Sequence, residues 1–152
     1  MARVLLIDDE PVVTRQLSRM LEAEQHAVRA VHDPREAHGM AAQFQPQVVV
    51  LDLSMPGRRG LDLLPTLRSV CGEVEVIIFT GAGNVPDAVH AMKEGAFDFI
   101  QKPNSEALLH GIERAIEMRH LRDENAFLRR HYDAQTGAGA FLAVHFIEET
   151  SQ

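Results

Sequence analysis

The sequence predicts an α/β protein on a doubly wound, five-stranded parallel sheet, with an extended C-terminal helix. Three observations carry this. Short apolar runs alternate with helix-periodic segments along residues 1–132. The runs are rich in Val, Ile and Leu and are continuously apolar, as strands covered on both faces are. Three of them also end in charge: Val4-Leu5-Leu6-Ile7 runs into Asp8-Asp9-Glu10, Val48-Val49-Val50-Leu51 into Asp52, and Phe97-Asp98-Phe99-Ile100-Gln101 into Lys102-Pro103. A carboxylate at the end of a buried strand is costly unless a cation or donor meets it. In a parallel sheet those ends lie along one edge, the edge at which such folds bind ligands. Three acids and one lysine there make a place for a divalent cation and a phosphoryl group.

Strands are expected at 3–7, 27–31, 48–52, 75–79 and 97–101, and helices at 11–24, 34–43, 60–70, 86–94 and 105–132. In the first helix Val12, Val13, Leu17, Met20 and Leu21 recur at helical spacing and form the expected core stripe. Val85, Ala88, Val89 and Met92 do the same in the fourth. Asp33-Pro34 and Asn104-Ser105 read as helix starts, and Gly95 stands where a residue just past a helix end should. Pro65 is a misfit within the third helix: either the helix begins late, with Pro65 in its first turn, or it kinks there. In the fifth, Leu108, Leu109, Ile112, Ala115 and Ile116 can face the domain.

The bulk composition narrows the function. At 152 residues, 45% of them hydrophobic, the chain has about one domain and a full core. The net charge of −7 predicts no direct binding of nucleic acid and no attraction to an anionic membrane. No apolar stretch approaches the roughly 20 residues of a membrane span. The single cysteine, Cys71, excludes an intramolecular disulfide and suits a reducing compartment. With no signal pattern in Met1-Ala2-Arg3, a cytoplasmic location is expected. The eight histidines are scattered without zinc-ligand spacing and read as surface or linker residues. Arg58 and Arg59 read as solvated loop charges.

Four motifs, in order and each at the end of its own strand, resemble the bacterial response-regulator receiver domain. They are Ile7-Asp8-Asp9-Glu10-Pro11, Leu51-Asp52-Leu53-Ser54-Met55-Pro56 with Gly60, Phe79-Thr80-Gly81, and Gly95 through Pro103 with Lys102. The resemblance covers residues 1 to about 118 and implies a flavodoxin-like (βα)5 fold. It implies that Asp52 accepts a phosphoryl group from a histidine kinase or phosphotransfer protein. It implies Mg²⁺ held by Asp9, Asp52 and the Ser54 backbone carbonyl, with Asp8 acting through water. Lys102 and Thr80 would meet phosphoryl oxygens, Thr80 and Phe99 would form the conformational switch, and the Lys102–Pro103 bond would be cis. The chemistry agrees: a carboxylate can form an acyl phosphate, phosphoryl transfer needs charge neutralisation above all, and hard oxygen donors suit Mg²⁺. Such a protein is a phosphoacceptor switch, not an enzyme acting on other molecules.

Rival readings fit less well. A haloacid-dehalogenase-like phosphatase needs a second acid two residues after the nucleophile, where Ser54 stands. A flavodoxin-like redox protein needs a phosphate-cradling loop where Asp8-Asp9-Glu10 would repel phosphate. A P-loop nucleotidase needs GxxxxGK[ST], which is absent. A pseudo-receiver, folded but never phosphorylated, keeps the fold without the chemistry.

The domain reading is a receiver at 1–117, a helical or coiled-coil extension at 118–132 and a flexible tail at 133–152. Met118, Leu121, Asn125, Leu128 and Tyr132 alternate at spacings of 3 and 4, a heptad seam with Asn125 at an a position. Such a seam suits a homodimer. The Glu-Asn-x-x-Leu-Arg wording resembles the linker between receiver and ATPase in enhancer-binding transcription activators, so the chain is either a stand-alone receiver or the front of a longer activator. Asp133 through Gly139 reads as a linker, and residues 140–147 form a short apolar run.

Overall fold

All five strands form, and all pair in parallel. The computed structural model describes residues 1–57 and 59–136. The elements run β1 (Arg3–Ile7), α1 (Pro11–Ala23), β2 (Ala27–Val31), α2 (Ala37–Phe44), β3 (Val48–Leu51), α3 (Leu63–Cys71), β4 (Glu75–Thr80), α4 (Val85–Lys93), β5 (Asp98–Gln101) and α5 (Ser105–Thr136). The sheet order is β2-β1-β3-β4-β5. Chain order therefore reverses at β1, whose neighbours are β2 on one side and β3 on the other.

Strand alternation sorts the core into two layers. On one face Leu5, Ile7, Val49, Leu51, Val76 and Ile78 pack with Ala41 of α2, Leu63, Leu64 and Leu67 of α3, and Ala88 and Ala91 of α4. On the other, Val4, Leu6, Val48, Val50, Ile77 and Phe79 pack with Leu17 and Leu21 of α1 and Leu108, Ile112 and Ala115 of α5. Burying each such aliphatic side chain contributes about 1.5–3 kcal/mol before entropy is subtracted.

Several local expectations hold and several shift. The Asp33 carboxylate accepts from the Arg35 N–H at 2.9 Å and opens a 3₁₀ turn, Pro34–Glu36, ahead of α2. The Asn104 side chain accepts from the Ala107 N–H at 3.1 Å and caps α5. Gly95 has φ +99°, one residue beyond the end cap of α4. Pro65 is the third residue of α3, which follows a 3₁₀ turn at Gly60–Asp62. The late start thus removes any need for a kink, because a first-turn N–H has no helical partner to lose.

Two core stripes differ from expectation. In α1 the buried positions are Thr14, Leu17 and Leu21, while Val12 is 69% exposed. At 100° per residue Val12 lies about 140° around the helix from Leu17. In α4 the small residues Ala88 and Ala91 face the sheet, and Val89 and Met92 are exposed. Alanines let that helix lie close, and the larger apolar residues fall one position away.

The chain divides into two compact units, Met1–Ile116 and a second beginning at Glu117. In the first, Leu108, Ile112 and Ala115 are buried, with Leu109 and Ile116 packed beside them. In the second, α5 continues as helix, with Met118, Leu121, Leu128 and Tyr132 exposed. The helix outruns its expected end at 132 and takes in 133–136, the start of the expected linker and tail. No breaker precedes Gly137, and Ala134 is a strong helix former. The rest of the tail and the apolar run 140–147 lie outside the described residues, as does Arg58.

Candidate functional site

The sheet delivers the site residues through its own hydrogen bonding. The Asp8 N–H donates to the Val31 carbonyl at 3.0 Å, extending the β1–β2 ladder by one residue. The Asp52 N–H donates to the Ile7 carbonyl at 2.9 Å, and the Lys102 N–H to the Thr80 carbonyl at 2.9 Å. Each residue lies at or just beyond the carboxyl end of its strand, with Asp8 and Asp52 flanking the point where strand order reverses. That crevice is where open α/β sheets bind ligands.

Asp52 is buried and has a partner on each oxygen. Its Oδ1 accepts from the Thr80 hydroxyl at 2.7 Å and from the Ser54 N–H at 3.0 Å. Its Oδ2 accepts from Lys102 Nζ at 2.9 Å. Lys102 Nζ also lies 2.8 Å from Asp8 Oδ2 and 2.9 Å from Glu10 Oε1. The Lys102 ammonium stands over the Phe79 ring, 5.9 Å from its centroid. Burial alone would lower the Lys102 pKa. The carboxylates of Asp8, Asp52 and Glu10 outweigh that and hold it well above the ordinary range. Asp8 moves the other way from most paired acids: burial raises its pKa, although Lys102 and the Glu10 N–H pull it down.

Asp8, Asp9, Glu10 and Asp52 each bring a carboxylate oxygen within 4.8 Å of the others. Hard, anionic oxygen donors in that number fit a small divalent cation. The arrangement can therefore hold a metal and present a buried oxygen nucleophile beside a fixed cation and a hydroxyl donor.

Asp8, Asp9, Asp52, Thr80 and Lys102 meet at one edge, together with the Ser54 backbone. The Lys102–Pro103 bond is cis. Phe99 is half-buried and packs in the α2–α4 layer; its Cα pairs with Ile78, so it shares a face of the sheet with Thr80, two residues on. Arg59 does not stand alone in solvent but pairs with Asp87 at 3.3 Å.

Three features escape a reading of the sequence. Glu10, noted only as part of its motif, reaches Lys102 across 92 positions. Asn84 donates through Nδ2 to the Thr80 hydroxyl at 3.1 Å, and nothing in its loop announces that. Gly60 passes so close to the site that an added Cβ would stand 2.6 Å from the Asp52 carbonyl oxygen and 2.6 Å from Leu53 Cα. Its place eight residues after Asp52 was the only available signal.

Known proteins share this fold. Residues 4–113 match the response regulator receiver domain family. Over 128 residues the chain is 42% identical to the C4-dicarboxylate transport transcriptional regulatory protein DctD of Pseudomonas aeruginosa, covering 84% of this chain and 28% of that protein. It is 34% identical over 150 residues to the nitrogen assimilation regulatory protein NtrX of Azorhizobium caulinodans, covering 97% and 33%. The crystal structure of a response regulator receiver domain protein from Clostridium thermocellum superposes with a TM-score of 0.74 at 31% identity, covering 80% of this chain and 98% of that one. The chain thus spans about a third of the length of these two relatives.

Proposed function

The chain belongs to the response regulator receiver domain family of two-component signalling, and from that premise we propose that Asp52 is its phosphoacceptor. The observation that carries this reading is the convergence of Lys102 and the Thr80 hydroxyl on a buried Asp52 beside Asp8, Asp9 and Glu10. An Asp52 oxygen attacks the donor phosphorus, a P–O bond forms, and the bond to the donor's leaving group breaks. Phosphoryl transfer depends on positioning and charge neutralisation. Lys102 meets one phosphoryl oxygen and the Thr80 hydroxyl another. Asp8, Asp9, Asp52 and the Ser54 carbonyl would hold Mg²⁺, which would supply further neutralising charge. The chemistry is confined to self-phosphorylation and self-dephosphorylation, with no turnover of other molecules.

The donor in this reading is a histidine kinase or phosphotransfer protein in the cytoplasm. The names and lengths of the relatives favour a receiver belonging to a longer transcriptional regulator. Residues 118–132 would dimerise it along Met118, Leu121, Asn125, Leu128 and Tyr132, an exposed seam in the heptad pattern. Phosphorylation would be read out through Thr80 and Phe99.

Intact mass after incubation with acetyl phosphate and Mg²⁺ tests the central claim. A phosphoryl adduct is expected in the wild type, none in Asp52→Asn and none after chelation. Full labelling of Asp52→Asn sinks the assignment.

A further inference from the structure

Three carboxylates crowd the Lys102 ammonium. An ammonium group has three protons, and oxygens of Asp8, Glu10 and Asp52 stand 2.8, 2.9 and 2.9 Å from Nζ. A phosphoryl oxygen can reach this lysine only by displacing one of them. The Asp8 and Asp52 side chains are 7% and 2% exposed, so neither can exchange Lys102 for water, and each would need another cation in its place. The Glu10 side chain is 59% exposed and can exchange Lys102 for water at small cost. Its backbone stays tied, because its N–H donates to Asp8 Oδ1 at 3.0 Å and α1 begins at the next residue. Only the side chain needs to move.

We propose that Glu10 is a positioning residue for the transfer, occupying the Lys102 N–H that the phosphoryl group takes and leaving as that group arrives. The inference rests on Asp52 as the acceptor. Glu10 neither gives nor receives a proton. With acetyl phosphate the new bond is Asp52 oxygen to phosphorus, the donor's P–O bond breaks, and acetate leaves with the electron pair. With phosphoramidate the P–N bond breaks instead and ammonia leaves. Glu10 opposes both donors by holding Lys102. It opposes the dianionic acyl phosphate more than the monoanionic phosphoramidate, because its own charge stands at the entrance.

The test uses the full chain carrying Glu10→Gln at saturating Mg²⁺, with labelling rates measured for both donors and beryllofluoride affinity read by amide shifts. An exposed ion pair of this kind corresponds to about a two- to fivefold effect. Acetyl phosphate labelling is expected to accelerate by about that factor and beryllofluoride to bind tighter by about as much, with a smaller gain for phosphoramidate. Unchanged rates and affinity would mean that Lys102 takes the phosphoryl group without losing Glu10, and would overturn the proposal. Slower labelling, or weaker Mg²⁺ binding in a direct titration, would overturn it by making Glu10 a metal ligand. If neither the wild type nor the variant is labelled by either donor, the Asp52 reading fails and takes this one with it.

Discussion

The Thr80 hydroxyl donates to Asp52 Oδ1 across 2.7 Å, while the same hydroxyl oxygen accepts from Asn84 Nδ2 at 3.1 Å. Thr80 is therefore the hinge between the acid and the loop that leads into α4. A group added to Asp52 must re-aim that hydroxyl and disturb the Asn84 bond. In the wild type, beryllofluoride should shift amide signals throughout 80–103. In Thr80→Ala the shifts near Asp52 should persist while those near Phe99 shrink. Equal shifts in the two proteins would remove Thr80 from the mechanism.

Gly60→Ala should destabilise the fold. Its Cβ would press on the Asp52 carbonyl and Leu53 Cα, both backbone atoms with nowhere to retreat. Overpacking of this kind costs about 1–3 kcal/mol, which urea unfolding would register as a lower midpoint. An unchanged midpoint would show that the β3–α3 loop yields freely.

Stability should fall below neutral pH partly through His26. The Ala2 N–H donates to His26 Nδ1 at 3.1 Å, which requires the neutral ring. Burial first, then the amino-terminal ammonium, lower the His26 pKa below 6.5, against the pull of Glu113 and Glu24. The unfolded chain therefore binds this proton at a higher pH than the folded one. The contribution is complete above pH 6.5 and is lost as pH falls from 6.5 through the folded value. His26→Gln should cost about 0.5–1.5 kcal/mol at neutral pH, with a smaller gap to the wild type at about pH 5.5. A gap that does not narrow there counts against His26.

Leu121→Ser combined with Leu128→Ser should shift the mass in light scattering from dimer toward monomer and leave the phosphoryl adduct on Asp52 intact. Both leucines are exposed on α5, on the heptad seam. Asn125→Leu should tighten association while loosening the choice of strand number. If the mass is the same for wild type and double variant at every concentration, the seam is a solvated helix.

The sheet was legible because its inner strands are short, almost continuously apolar runs, while the edge strands β2 and β5 carry polar residues and are read from their place in the alternation of strands and helices. The acids, Thr80 and Lys102 were legible because each lies at or beside a strand end, so locating the strands located the site. The helix faces were less so. Where apolar residues are adjacent, as at Val12-Val13 or Ala88-Val89, periodicity cannot choose which one the sheet takes: it took Val13 over Val12 and Ala88 over Val89. The Lys102–Glu10 pair joins side chains from opposite ends of the receiver, and only the assembled strand order brings them together.

Cys71 closes α3 with its thiol buried, 3.7 Å from the Ala41 carbonyl of α2. As the chain's one sulfhydryl, it acts as a clock for breathing of that helix pair. A thiol reagent can reach it only when α2 and α3 part, so its rate of modification measures how often they do. Compared before and after loading of Asp52, that rate would say whether the helices behind β3 tighten or loosen, with no label to engineer and no second thiol to subtract.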